Sequence, residues 1–157
     1  MSIQHQHATM VGLSLLLAAG GCSDQFCTEI GCGPKFTIDV VGDTTPGAIA
    51  PGDYELTIET DEGTATCAVG LTGDTNTSCD GGVGISAGAV QGEDGTFISI
   101  WGESEPSAIS VTVRRDGNVV GSLDANLDYV TGHPNGEDCP PTCRSSLGLR
   151  VVVPTQP

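Results

Sequence analysis

The chain has 157 residues, with 20 acidic side chains against 5 basic ones and a formal net charge of −15. So few cations exclude a nucleic-acid binder, because that contact depends on Lys and Arg neutralising phosphates, and they disfavour lying flat on anionic lipid. With 23 glycines, one Trp, two Tyr and three Phe, the composition points away from helices and toward a modest core.

Residues 1–21 carry no acidic residue and a compact apolar centre from Val11 to Ala19. That run is far short of the roughly 18 to 20 residues needed to cross a bilayer, so it reads as the apolar region of a signal peptide. His5 and His7 precede it, with no Lys or Arg. Ala19-Gly20-Gly21-Cys22 then resembles a bacterial lipobox, although Ala19 stands where that family prefers Leu. The resemblance implies cleavage before Cys22 and acylation of its thiol and new N-terminus. Two or more acyl chains, at ~0.8 kcal/mol per buried methylene, hold a protein firmly where one does not. Ser23 in place of Asp favours the outer membrane. Ordinary signal-peptidase cleavage is the alternative, and it leaves Cys22 as a structural cysteine. The chain has seven cysteines; one lipid-bearing residue and three disulfides use them all, whereas the alternative leaves an odd thiol in an oxidising compartment.

Residues 22–35 read as a short Cys-containing tether. Strand-like alternation begins at Phe36, with Ile38 and Val40 on the same face. Tyr54, Leu56 and Ile58 follow, and Asp61-Glu62-Gly63 turns the chain into Ala65, Cys67, Val69 and Leu71, a hairpin pattern. Residues 72–95 are rich in Gly, Asp and Ser, with one weak strand around Val83–Val90. Phe97–Trp101 is a compact β run. Ile109, Val111 and Val113 then share a face, a turn at Arg115-Asp116-Gly117-Asn118 follows, and Val119–Tyr129 alternates again. A loop over 131–143 leads to a closing strand bearing Leu147, Leu149, Val151 and Val153. Seven to eight short strands with no helix predict an all-β protein, an immunoglobulin-like antiparallel β-sandwich over 36–153, with a small closed barrel as the alternative and 154–157 as a tail.

Six cysteines, Cys27, Cys32, Cys67, Cys79, Cys139 and Cys143, allow 15 connectivities, and the sequence does not choose among them. Proximity along the chain favours Cys27–Cys32, Cys67–Cys79 and Cys139–Cys143. The Cys67–Cys79 bridge would contribute about 3 kcal/mol in the chain-entropy model. Cys139 and Cys143 have three residues between them and no helix after them, unlike a redox-active pair.

Three segments, PGDYELTIETDEGTATCAVGL, SAISVTVRRDGNVVGS and HPNGEDCPPTC, occur in that order. They resemble a recurrent domain of myxobacterial-type bacterial lipoproteins, spanning roughly Pro51 to Val153. The resemblance implies a lipid-anchored, disulfide-stapled β-sandwich and carries no activity with it.

Catalytic and metal signals are weak. Gly84-Ile85-Ser86-Ala87-Gly88 fits the G-x-S-x-G nucleophile pattern with His133 downstream, but that motif works on a strand-to-helix turn that an all-β domain lacks. Asp74-Thr75-Asn76-Thr77-Ser78 begins like a calcium loop, but Cys79 takes its glycine position and Ile85 its final glutamate position. Asp124, Asn126 and Asp128 have the spacing of the wet face of a strand. His133, Glu137 and Asp138 lie near Cys139 and Cys143, and oxidised cysteines do not ligate zinc. Trp101, beside Ile98 and Ile100, reads as core or rim packing rather than a sugar-stacking ring. No cofactor or metal is expected, and no enzyme. The sequence predicts a non-catalytic module anchored to the bilayer of the outer membrane through Cys22. Loops 72–82 and 131–143 would be offered to a protein or glycan partner, and calcium or glycan binding is the alternative reading.

Overall fold

The computed structural model describes residues 27, 30–44, 47–72, 77–81, 83–93 and 95–155. The expected signal segment, Cys22 and most of the calcium-like Asp74–Ser78 run lie outside them.

The described residues form a sandwich of two five-stranded sheets and no helix. One sheet holds β1 (Phe36–Gly42), β5 (Ile85–Gly92), β6 (Gly95–Gly102), β9 (Val130–Gly132) and β10 (Cys143–Val153), in the order β5-β6-β1-β10-β9. The other holds β2 (Asp53–Thr60), β3 (Gly63–Gly70), β4 (Thr77–Asp80), β7 (Ala108–Arg115) and β8 (Asn118–Asn126), in the order β4-β3-β2-β7-β8. Each sheet ends in two edges, so the barrel alternative is set aside. Every pairing is antiparallel except one: β1 runs parallel to β10. The first and last strands of the domain therefore lie side by side.

Alternation along the strands builds the core. Phe36, Ile38 and Val40 of β1 face Leu56 and Ile58 of β2 and Val111 and Val113 of β7, with Ile98, Ile100 and Val151 closing the layer; all are essentially inaccessible to water. Tyr54, near the start of β2, is buried with them and donates its hydroxyl to the Ala50 carbonyl at 2.8 Å. This is the kind of contact that fixes the tyrosine corner of immunoglobulin-like sandwiches, here placed on β2.

Two short strands, β4 and β9, take the count from the expected seven or eight to ten. Neither has an apolar period of its own. β4 exists because Cys79 sits opposite Cys67 on β3, and β9 because Val130–Gly132 pairs with the opening of β10. The closing strand also departs from unbroken alternation. Phe36 pairs with Ser146 but Ile38 pairs with Leu149, so β10 carries an extra residue at a bulge, where Gly148 adopts φ 87°. A positive φ in a bulge is a glycine conformation, and the slip puts Ser146 inside, opposite Phe36.

The disulfides correct two of the three expected pairings. Cys67–Cys79 forms as expected, but Cys27 is joined to Cys139 and Cys32 to Cys143, across 112 and 111 residues. Residues 30–35 run beside the 139–146 segment in the same direction, continuing the parallel pairing of β1 with β10; the Ser146 amide donates to the Lys35 carbonyl at 2.7 Å. In that arrangement each N-terminal cysteine meets one from the far end of the chain rather than its sequence neighbour. Asn135 adds to the seam, accepting from the Ile30 amide at 3.1 Å and donating to the Ile30 carbonyl at 3.0 Å. Cys27 and residues 30–35 are thus stitched to the sandwich, and Cys27 and Cys32 do not staple each other.

Candidate functional site

The outer faces of the two sheets differ. On the β4-β3-β2-β7-β8 sheet, Thr66, Thr57, Thr112 and Ser122 stand opposite one another across four strands, a hydroxyl ladder of the kind that stabilises sheet pairing. Arg114 and Glu55 beside it form an ion pair at 3.4 Å. Glu59 and Asp124 share another row through Ser110, with no ion pair among the described residues, so this face is polar and acidic.

The outer face of the other sheet carries a different chemistry. On β6 the inward residues are Ile98 and Ile100, so Phe97, Ser99 and Trp101 point outward, and Trp101 is half-buried at the surface, on the rim rather than in the core. The register sets three rows across the strands. Ser86, Trp101 and Thr37 form the first, and Gly88, Ser99, Asp39 and Arg150 the second. Val90 pairs with Phe97, and Val41 with Val152, in the third. A polar row thus lies between two rows that each carry an aromatic ring.

Glycines on β5 set the attitude of those rings. A methyl group at Gly88 would lie 3.3 Å from the Trp101 indole, and one at Gly92 would lie 3.1 Å from the Phe97 ring. Both rings therefore reach over β5 into the space that a side chain at the glycine would fill. Four residues of strand separate them, about 13 Å at the usual rise. Within the polar row, the Ser99 hydroxyl donates to the Asp39 carboxylate at 2.9 Å.

Beyond Phe97 the face dips into a cavity of about 500 Å³, bounded by Asp39, Phe97 and Arg150 and by the two loops after β1 and between β5 and β6. Asp43 on its rim accepts hydrogen bonds from the amide (3.0 Å) and hydroxyl (2.9 Å) of Thr155, which hold its carboxyl below the usual value of 3.8. Arg150 stands apart from the other cations. Lys35 and Arg144 both pair with Glu105, Arg114 pairs with Glu55, and Arg115 donates to the Pro154 carbonyl. Arg150 has no ion-pair or hydrogen-bond partner among the described residues.

The other expected sites are not assembled. Ser86 lies within β5 and His133 follows β9, the opposite edge strands of one sheet. Four strand spacings, about 19 Å, separate those edges, too far for a base to take a hydroxyl proton. No group of three or more His, Cys, Asp or Glu among the described residues is placed to hold a metal ion. Asp124, Asn126 and Asp128 are exposed, as a solvated strand face requires. Cys139 and Cys143 are oxidised, and the loop around them is sewn to Cys27 and Cys32. The row structure around Trp101 had one signal in the sequence: Gly88 and Gly92 in a strand, four residues apart, opposite a strand with aromatics at the same spacing. No family model matches the chain, and neither does any curated protein or solved structure.

Proposed function

We propose that this chain is an exported, lipid-anchored, non-catalytic binding module of the outer membrane, and that its binding surface is the Trp101–Phe97 face of the β5-β6-β1-β10-β9 sheet. The cysteine count carries the reading. Six of the seven cysteines are consumed in three disulfides, which form in oxidising compartments, and the one left over is Cys22, at the lipobox-like end of the apolar segment. The resemblance to myxobacterial-type lipoproteins points the same way. A charge of −15 keeps such a module soluble and off an anionic bilayer except at its anchor.

The same reading orients the domain. At the usual reach of an extended chain, the five residues from Cys22 to Cys27 span at most about 18 Å. The stitched end, with Cys139 and Cys143, therefore faces the membrane. The cavity beside Gly42 lies at the opposite end of β1 and faces away from it.

The test is the intact mass of the protein extracted from native membranes, before and after reduction and alkylation. Cleavage before Cys22, added acyl mass and six thiols that appear only on reduction support the proposal. An unacylated chain found in the medium, with a seventh thiol free or bridging two copies, overturns the anchor.

A further inference from the structure

We infer that the Trp101–Phe97 face binds a neutral oligosaccharide chain, along the line from the indole, across Ser99, Asp39 and Arg150, into the cavity beyond Phe97. The inference deepens the proposed function and rests on its choice of face, but not on the anchor.

The argument begins with the rings. Covering a strand glycine is enough to explain why an aromatic side chain reaches over its neighbouring strand. It does not explain a cavity beside the ring, or an Arg150 without a partner among the described residues when Lys35, Arg114, Arg115 and Arg144 are all engaged. A ligand that answers all three observations has flat apolar patches for two rings and hydroxyls for the row between them. The axial C–H faces of a pyranose meet the first requirement, because a π-face carries partial negative charge and attracts polarised C–H groups. Its hydroxyls meet the second, accepting from the Arg150 guanidinium and donating to the Asp39 carboxylate, whose orientation Ser99 fixes.

Length and charge narrow the class. Ring positions about 13 Å apart exceed one sugar ring, so the ligand is a chain. Asp39, Asp43 and Glu93 line the cavity against the single Arg150, so its balance is negative. Sulfated or uronic-acid polymers are repelled there, as are phosphate-rich ligands. The cavity volume of about 500 Å³ suits one terminal residue of such a chain, within the range of ordinary ligand sites.

The chain has one Trp, so its fluorescence reports this face alone. The purified full chain is titrated with hexasaccharides of glucose (α- and β-linked), β-linked N-acetylglucosamine, mannose and xylose, and with a heparin-derived hexasaccharide. A saturable change in Trp101 emission with at least one neutral member, weakened tenfold or more by Phe97→Ala and by Arg150→Gln, supports the inference. Both variants alter surface side chains, and retention of the wild-type melting temperature shows that they fold. Calorimetry on Trp101→Ala checks the same loss without fluorescence. No response to any neutral member at millimolar concentration overturns the inference, as does a response to the heparin fragment alone or a neutral response that Phe97→Ala and Arg150→Gln leave unchanged. Failure of the anchor is read separately, by mass: an unacylated chain that binds a glycan overturns the anchor alone, and an acylated chain that ignores the panel overturns the glycan alone.

Discussion

Cys32 is joined to Cys143 at nearly the offset at which Phe36 pairs with Ser146: the disulfides span 112 and 111 residues, and the strand pair that follows is one residue closer. The two crosslinks are in effect rungs of a ladder that continues as the parallel pairing of β1 with β10. Once either bridge has closed the long loop, the other closes only the ring through residues 27–32 and 139–143. The chain-entropy model gives about 4.7 kcal/mol for the first and about 3 kcal/mol for the second. Variants lacking one bridge, Cys27→Ser with Cys139→Ser or Cys32→Ser with Cys143→Ser, should therefore lose about 3 kcal/mol, and the variant lacking both bridges more than twice that. Urea unfolding of the three proteins checks the ordering, and non-reducing digestion followed by mass spectrometry checks the connectivity.

Gly102, at the end of β6, should not tolerate a side chain. A Cβ there would occupy the space of the Phe36 ring, which is fully buried and packed at the sheet's end. Gly102→Ala should cost about 1–3 kcal/mol as overpacking. Gly33→Ala, at a site where a methyl group meets nothing, is the control and should leave the melting temperature unchanged.

Tyr54→Phe should cost about 1 kcal/mol or somewhat more, because it removes the donor to the Ala50 carbonyl and keeps the ring in place. Thermal or urea denaturation measures it. The phenol's own pKa is raised, chiefly by burial, so stability should also fall at alkaline pH in the wild type as the ring hydroxyl is driven to ionise.

Acid should loosen two turns before it unfolds the core. The Asp61 carboxylate accepts from the Ser107 hydroxyl at 2.6 Å and from its amide at 3.1 Å, and these bonds hold its pKa below 3.8. Asp43 is held low in the same way by Thr155. A folded value below the unfolded one means that the unfolded chain binds the proton first. The stabilisation is complete above the ordinary carboxylate range and is lost as pH falls from about 3.8 through the lower folded value. Carbon-detected NMR titration should give both midpoints below 3.8, and Ser107→Ala should return Asp61 toward it.

Most of the sandwich was legible because period-two burial leaves its mark in sequence. Phe36, Ile38 and Val40, then Tyr54, Leu56 and Ile58, then Ile109, Val111 and Val113 all lie inside, as their alternation requires. What escaped has a common cause, dependence on a partner strand. β4 and β9 have no pattern apart from β3 and β10, and the Gly148 bulge exists only relative to β1. Whether Trp101 would lie in the core or on the rim was open for a related reason. In the run Phe97-Ile98-Ser99-Ile100-Trp101 either face could be the inner one by hydrophobicity, and the sheet chose the isoleucines because β1 and β5 face them with Ile38, Val40 and Ala87. The cysteine pairing escaped because proximity in sequence favours local bridges, while the parallel run of two distant segments favours long ones.

The doubled stitching at the root of the domain also decides how it bears load. Tension arriving through the residues before Cys27 meets the Cys27–Cys139 bridge first, then the Ile30–Asn135 hydrogen bonds and the Cys32–Cys143 bridge, and it enters β1 and β10 together at their shared starting end. Two strands drawn from the same end in the same direction are not sheared past one another. A pull on the N-terminal segment therefore tugs the central pair of the sheet as a unit, and the weakest link moves from that pair to its neighbours β6 and β9.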